Sequence, residues 1–221
     1  MEASLGLLAG IVASDGHLER DGRGIKVIST SKPFVDEVVL PLMRELSGKE
    51  PSVYVSKTGF SKRRKYVAYL YDGQISQKLS KEYAVPRGKK ATTMRAPTKL
   101  GPAQELDYLQ GWFAGEGSVS QDTRKTKYGV YVTPEIELWV KNKWIAEWIL
   151  EALEKRGVQP RMHYSARNGQ HLIIVRRLKS VFLFFKRIGF SHPEKDAKLS
   201  VLLRLLSSQN QNVARQFGGI S

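Results

Sequence analysis

A nine-residue pattern that occurs twice constrains this chain more than any other feature. Residues 8–16 read LAGIVASDG, and residues 109–117 read LQGWFAGEG. Both copies are apolar, carry glycine at the third and ninth places, and place one acidic residue directly before the last glycine. Two copies roughly a hundred residues apart indicate a duplicated folding unit, which is too few repeats for a solenoid.

The first half begins with a helix that carries the first copy of the pattern. Ser4 is suited to cap a helix from Leu5 to about Ser14, and Gly16 is expected to end it in the left-handed conformation. The further elements predicted in this half are a strand at 24–31, a helix at 32–48 kinked by Pro41, a hairpin of 51–57 and 65–72, and a short helix at 76–83.

A segment rich in proline, glycine and basic residues follows, and the same order of elements then returns. The second half is predicted to contain a helix at 104–115, strands at 118–122 and 129–140, a helix at 142–157, a hairpin of 159–167 and 170–177, and helices at 179–187 and 194–208. The predicted domains are a first unit at 1–91, a linker at 92–103, a second unit at 104–208 and a polar tail at 209–221.

The charge of the chain indicates a polyanionic partner. Lys and Arg number 36 against 21 Asp and Glu, so the net charge is +15. Basic residues are spread over the chain instead of lying on one amphipathic helix, which favours nucleic acid over a membrane surface. No apolar run reaches the roughly 18 residues of a membrane span, and the start lacks a signal peptide, so an intracellular protein of the cytoplasm or nucleoid is expected. The absence of cysteine excludes disulfides and thiolate metal sites.

Small residues recur at helical spacing within the two motif copies. Gly6, Gly10 and Ser14 are four residues apart, as are Gly111 and Gly115, so each set shares one helix face. A glycine inside a helix costs about 1 kcal/mol relative to alanine, and close contact between two helices would compensate for it. We therefore predict that Gly6, Gly10 and Gly111 lie where the motif helices meet; ordinary packing of two core helices is the alternative.

The acidic residues are harder to explain by packing alone. Asp15 and Glu116 stand at helix C-termini, where the helix dipole disfavours a carboxylate by roughly 0.3–1 kcal/mol. If the helices pack in parallel, both carboxylates meet at one end, together with the carbonyl oxygens of Ser14 and Gly115. Such a set of hard oxygen ligands suits Mg²⁺. Two acids with divalent ions are the parts of metal-assisted phosphodiester hydrolysis.

The two copies resemble the signature helices of the LAGLIDADG homing endonucleases in their single-chain, two-motif form. The resemblance covers nearly the whole chain. It implies an α+β fold of two pseudo-symmetric αββαββα units, with the motif helices at the interface and two antiparallel sheets forming a saddle over DNA. It also implies a monomer that binds a long, specific double-stranded site and cuts both strands across the minor groove, leaving short 3′ overhangs.

The resemblance assigns roles to individual residues. Asp15 and Glu116 take the places of the metal-binding acids, and Ser14 and Gly115 those of the main-chain metal ligands. The basic residue near each active site would be Lys90, with Lys89 as the alternative, and Lys195. Ser31 and Asn142 stand near the places of a water-ordering polar residue, although glutamine is usual at the first. Mg²⁺ is the expected cofactor; Mn²⁺ is expected to substitute, and Ca²⁺ to bind without supporting cleavage.

Strands with one polar face are expected to enter the major groove, where Arg pairs with guanine and Asn or Gln with adenine. Most cations will contact phosphate instead, and the pattern does not separate the two classes. The candidate DNA-contacting residues are Lys26, Lys57, Arg63, Arg64, Lys65, Arg124, Lys125, Arg161, Arg167, Asn168, Gln170 and Arg176.

Other functions remain open from the sequence. Relatives on the same scaffold include intron RNA maturases and proteins that bind DNA without cutting it; the two intact acids favour the nuclease but leave an added role with intron RNA possible. A ribosomal or RNA-binding protein would explain the charge but not the repeated acids. An intein is disfavoured because no splicing segments flank the two units.

Overall fold

The fold of this chain is described from a computed structural model, which covers residues 4–56, 64–88, 90, 93–127 and 129–217; the side chains of 124, 126, 129–131 and 207–217 are outside this description. The elements of the first half are α1 (Leu5–Asp15), β1 (Gly16–Leu18), β2 (Gly24–Ser29), α2 (Lys32–Phe34), a π-helical turn (Val35–Val39), α3 (Leu40–Ser47), β3 (Ser52–Ser56), β4 (Lys65–Tyr71) and α4 (Gly73–Glu82).

The second half repeats this order and adds one helix. Its elements are α5 (Pro102–Gly115), β5 (Gly117–Thr126), β6 (Gly129–Val140), α6 (Lys143–Glu154), β7 (Arg161–Ser165), β8 (Gln170–Val175), α7 (Leu178–Arg187) and α8 (Pro193–Phe217). Each half forms a four-stranded antiparallel sheet, with the orders β1-β2-β4-β3 and β5-β6-β8-β7. The predicted α+β fold of two αββαββα units is therefore confirmed.

The start of α1 follows the prediction, but its end does not. The Ser4 hydroxyl accepts a hydrogen bond from the Leu7 amide and so caps the helix. Gly16 was expected in the left-handed conformation, yet its backbone is extended, with φ −118° and ψ −168°, and it opens strand β1. Glycine is needed there for space instead, because a Cβ would lie 2.4 Å from the carbonyl oxygen of Lys26 on the neighbouring strand.

Pro41 is accommodated by a change of helix type. Proline has no amide hydrogen to donate back along the helix. The residues just before it form the π-helical turn, in which the Leu40 amide donates to the carbonyl oxygen of Val35, five residues earlier. At the place of the predicted kink, the structure has a π-helical turn between α2 and α3.

The motif helix α1 lies in the middle of the core. All residues from Gly6 to Ser14 are buried, so the helix has no polar face. The core continues through both sheets and their covering helices as one cluster. A single core that spans both halves holds the ends of α1 and α5 in a fixed relation.

Two helices of the second half extend beyond their predicted bounds. Helix α5 begins at Pro102, within the predicted linker, and α8 continues to Phe217, within the predicted polar tail. Among the described residues, no helix combines the length and the apolar character that crossing a bilayer requires.

Candidate active site

The motif helices α1 and α5 contact each other backbone to backbone at their glycines. A Cβ added to Gly10 would lie 2.1 Å from the carbonyl oxygen of Tyr108, and one added to Gly111 would lie 2.4 Å from the carbonyl oxygen of Leu7. At Gly6 the nearest atom, in a side chain, would lie 2.9 Å away. No side chain fits between the helices at the two central glycines.

The two helices run in the same direction, and this brings the acids to one end. Near the start of the pair, the Ser4 hydroxyl donates to the Asp107 carboxylate. At the other end, Asp15 is the last residue of α1 and Glu116 is the C-cap of α5. The Asp15 carboxyl carbon would lie 3.3 Å from a Cβ on Gly115, so Asp15 lies against the end of the partner helix.

Lys90 and Lys195 lie at the same end and bind the last carbonyl groups of the motif helices. The Lys90 ammonium donates to the carbonyl oxygens of Val12 (2.8 Å) and Ser14 (2.6 Å). Lys195 donates to the carbonyl oxygens of Gly115 and its two predecessors, the Ala114 contact measuring 2.6 Å. Lys195 belongs to the first turn of α8, whereas Lys90 lies in the irregular segment after α4. Lys89 lies outside the described residues.

The two acids and the two lysines all have shifted pKa values. Burial raises the pKa of half-buried Asp15, and the two lysines oppose the rise. Desolvation by the surrounding protein, followed by repulsion from the Asp15 carboxylate, raises the pKa of Glu116, although the Glu116 side chain is exposed in the cleft. Burial lowers the pKa of Lys90 and of Lys195 to about 8, against the pull of both carboxylates. Added positive charge beside the carboxylates would reverse their shifts.

The ligand atoms at this end fit a divalent cation that prefers oxygen. The Asp15 and Glu116 carboxylates and the carbonyl oxygens of Ser14 and Gly115 are the ligand type that Mg²⁺ and Ca²⁺ select. Within the part of the chain that the structure describes, no three His, Cys, Asp or Glu side chains group closely enough to hold a metal by themselves. A cation here would therefore need main-chain oxygens, and water or phosphate, to complete its coordination.

Two clefts open beside the helix ends, one for each acid. The larger, of about 690 Å³, is lined by Asp15, Lys90 and Lys195, together with Lys65, His192 and Lys198. The smaller, of about 270 Å³, is lined by Glu116, Lys90, Lys141, Asn142 and Gln170. Each carboxylate thus has a separate space for a substrate group, and Lys90 borders both.

Ser31 and Asn142 occupy equivalent positions as helix caps. The Ser31 hydroxyl accepts from the Phe34 amide (3.2 Å), and the Asn142 side-chain oxygen accepts from the Ile145 amide (3.3 Å). The Asn142 amide also donates to the carbonyl oxygen of Met94 (2.7 Å). Both side chains border the clefts, but their hydrogen bonds serve first to start the following helix.

Two cleft residues were missed by the sequence reasoning. His192 is buried, stacks on Phe34 of the first unit with ring centroids 4.4 Å apart, and has a pKa that burial lowers to about 4. Lys198 donates to the carbonyl oxygen of Val119 (2.6 Å). Lys198 follows Lys195 by three residues on α8, and this spacing could have identified it, whereas nothing in the sequence marks His192.

The candidate DNA-contacting residues separate into three groups. Lys57 and Arg63 lie outside the described residues, as does the side chain of Arg124. Five are exposed and free to meet phosphate or bases: Arg64, Lys125, Arg161, Arg167 and Asn168. The others are partly buried; Lys65 and Gln170 line the clefts, Lys26 is paired with Glu19 (2.9 Å) and Arg176 with Glu135 (3.1 Å).

Comparison with known proteins agrees with this geometry. Residues 103–189 match the family model described as a LAGLIDADG-like domain. The chain is 28% identical to the homing endonuclease I-ApeI of Aeropyrum pernix over 194 residues, which is 86% of this chain and 82% of that protein. The resemblance to the LAGLIDADG family is confirmed.

Solved structures share the fold at low sequence identity. The meganuclease I-SmaMI bound to uncleaveable DNA has a TM-score of 0.62 and 11% identity, with 100% of this chain and 99% of that chain covered. I-DmoI in complex with DNA and Ca has a TM-score of 0.58 and 13% identity, with 90% and 95% covered. The two-unit architecture of the chain is therefore that of these meganucleases.

Proposed function

We propose that this chain is a site-specific, metal-dependent DNA endonuclease of the homing type, encoded within an intron, that hydrolyses one phosphodiester in each strand of a long double-stranded site. The observation that carries the proposal is the meeting of Asp15 and Glu116 at one end of a parallel helix pair, each beside its own cleft. Two equivalent acids on a duplicated scaffold supply one reaction centre for each strand. The similarity to I-ApeI supports the homing role.

The acids are suited to hold Mg²⁺. The carbonyl oxygens of Ser14 and Gly115 would be further ligands through the lone pair that each keeps beside its hydrogen bond from Lys90 or Lys195. A bound divalent ion would lower the pKa of a coordinated water and withdraw charge from the scissile phosphate. Burial raises the pKa values of Asp15 and Glu116 and the two lysines only oppose the rise, so a bound divalent ion would favour the ionised carboxylates. The Mn, Ca and Mg complexes of I-DmoI are consistent with such a cofactor.

The lysines supply positive charge at the reacting phosphate. Hydrogen bonds to helix-terminal carbonyls hold the ammonium group of Lys90 beside both clefts and that of Lys195 beside the larger one. As the water oxygen bonds to phosphorus and the P–O3′ bond breaks, negative charge grows on the phosphoryl oxygens. Ammonium groups held beside that charge stabilise the transition state without reorganising.

The charge of the whole chain supports binding to duplex DNA. With a net charge of +15 and exposed cations such as Arg64, Arg161 and Arg167, the protein can neutralise many phosphates. Those contacts fix the position of the duplex but carry little sequence information. The polar faces of the two sheets are left to read bases.

The test is cleavage of supercoiled and genomic DNA in Mg²⁺, with the cut ends mapped by sequencing. The parent protein should cut both strands at a defined site, whereas Asp15→Asn and Glu116→Gln should each abolish double-strand cleavage but still bind the site in Ca²⁺. Asp36→Asn and Glu147→Gln are matched controls, because each removes one carboxylate from a surface i,i+4 ion pair away from the clefts. Full cleavage by either active-site variant would overturn the assignment, and specific binding without cleavage by the parent would indicate the non-cleaving binder or maturase.

A further inference from the structure

The repeated motif shows which residues of the first sheet are equivalent to which residues of the second. Its last glycine starts β1 in the first unit and β5 in the second, and pairs with Val27 in one sheet and Leu138 in the other. The residues that precede these partners, Lys26 and Glu137, are therefore equivalent. A cation in one unit corresponds to an anion in the other, close to the ends of the motif helices.

Both residues lie on the sheet face that is turned away from the core, called here the open face. The strand neighbours on either side of Lys26 and Glu137 are fully buried in the core, and side chains alternate along a strand. These neighbours are Ile25, Val27, Ile136 and Leu138. The open face is the side of each sheet that meets DNA in the proposed function.

The local partners of the two residues differ as well. In the first unit the Lys26 ammonium is paired with the Glu19 carboxylate (2.9 Å), so the position is close to neutral. In the second unit Ser120 stands at the place equivalent to Glu19, and its hydroxyl donates to the Glu137 carboxylate (3.2 Å). An ionised carboxylate has room for about four hydrogen bonds, so Glu137 keeps acceptor capacity after this one is made.

A carboxylate on the open face does not assist binding to the phosphate backbone, because like charges repel. It is suited to a base edge instead. In the major groove the exocyclic N4 amino group of cytosine donates hydrogen bonds, and Glu or Asp is its usual acceptor. The nearby Glu135 is not available in this way, since it is buried and paired with Arg176 at 3.1 Å.

We propose that Glu137 determines specificity by accepting a hydrogen bond from a cytosine amino group in the half-site under the second unit. The first unit, with Lys26 at the equivalent place, does not share this preference. The inference rests on the proposed function, because it assumes that the open faces contact the duplex. It assigns Glu137 to base reading and leaves the reaction itself to the acids and lysines.

The experiment selects bound sequences from a pool of randomised duplex DNA in Ca²⁺. The parent protein should enrich cytosine at one position in one half of the site, by about five- to tenfold over the other bases. Glu137→Gln should lose this preference and gain adenine there, and Glu137→Lys, which imports the first unit's residue, should shift it to guanine. All other positions should keep their base frequencies. Glu147→Gln is the matched control, since it removes the same charge from helix α6.

The outcomes separate the inference from the proposed function. If the parent enriches a site and both Glu137 variants enrich the same bases throughout, Glu137 does not read DNA and the inference is wrong, while the proposed function stands. A uniform loss of enrichment at every position, with a lowered melting temperature, would make Glu137 a structural residue and would also refute the inference. If the parent enriches no sequence, site-specific recognition fails and the inference fails with it.

Discussion

The Gly10→Ala substitution tests the helix contact on which the active site depends. The added methyl carbon would lie 2.1 Å from the carbonyl oxygen of Tyr108 and 2.8 Å from the Cα of Gly111. Both atoms belong to the backbone of α5, so neither can rotate aside. Ordinary contact begins at 3.4 Å, and α1 and α5 must therefore separate by about 1 Å.

The expected cost follows from this separation. Overpacking of this kind destabilises by about 1–3 kcal/mol. At about 2–4 °C for each kcal/mol in a chain of this length, the melting temperature should fall by roughly 2–12 °C. Because the separation also moves Asp15 away from Glu116, and about 1 Å of misplacement can cost roughly a hundredfold in rate, cleavage should be lost while the protein is still folded.

The chain offers graded controls for this substitution. Gly73 starts α4, and its nearest neighbour would be a carbonyl oxygen 3.9 Å away, so Gly73→Ala should melt and cut like the parent or be slightly more stable. Gly6→Ala should be intermediate, because its closest contact, at 2.9 Å, is the Asp107 side chain. Thermal melting and cleavage rates of the three variants provide the measurement. If Gly10→Ala behaves like Gly73→Ala, the helices do not pack as described and the placement of the acids is wrong.

Three further predictions concern charge. Asp15→Asn and Glu116→Gln should each raise the melting temperature at pH 7, because a carboxyl group whose pKa is raised on folding destabilises the fold when it is ionised. The gain should vanish in melts below about pH 4, where the carboxyl groups are protonated, and the absence of a gain at pH 7 would contradict the prediction. In urea melts between about pH 8 and 10.5, the free energy of unfolding of the parent should rise relative to that of a Lys90→Met, Lys195→Met double variant, because the unfolded lysines then bind more protons than the folded ones. A difference between the two proteins that does not change with pH would refute the pKa values of about 8. In a plot of log affinity against log salt concentration, DNA affinity should fall with a slope of about 0.9 per neutralised phosphate. Gel shifts that do not change with salt would show that the +15 charge does not serve to bind phosphate.

The motif could be interpreted from the sequence because its spacing equals the helical period. Gly6 and Gly10 fall on one face only if the segment is helical, and the acid then stands at the end of that helix. Gly16 shows where this reasoning fails. A left-handed turn and a close contact with another backbone both require a residue without Cβ. A glycine in the sequence therefore does not distinguish the two structures. Only the contact between Gly16 and the carbonyl oxygen of Lys26 shows which of them is present.

Side-chain partners in loops and on open faces were the least predictable. Lys89 and Lys90 are adjacent in the sequence, and no periodicity there singles out Lys90 as the residue that reaches the helix ends. Glu137 was missed for a different reason. In a chain with so many basic residues the expected DNA contacts are cations and amides, and the strand register with β5 and β8 is needed to place this carboxylate on the face proposed to meet DNA.

The two halves share the residues proposed for the reaction but differ at the residues proposed for DNA recognition. The acid, the lysine on the helix-terminal carbonyls and the polar cap of the next helix occur in both units, so both strands would meet the same chemistry. The open faces differ: Lys26 is matched by Glu137, and Tyr69 beside it by Ile174. Two identical faces would suit a palindrome, because each half-site would then present the same bases. Faces that differ in charge and in aromatic character require different bases, and the proposed target is therefore an asymmetric sequence cut by a nearly symmetric centre.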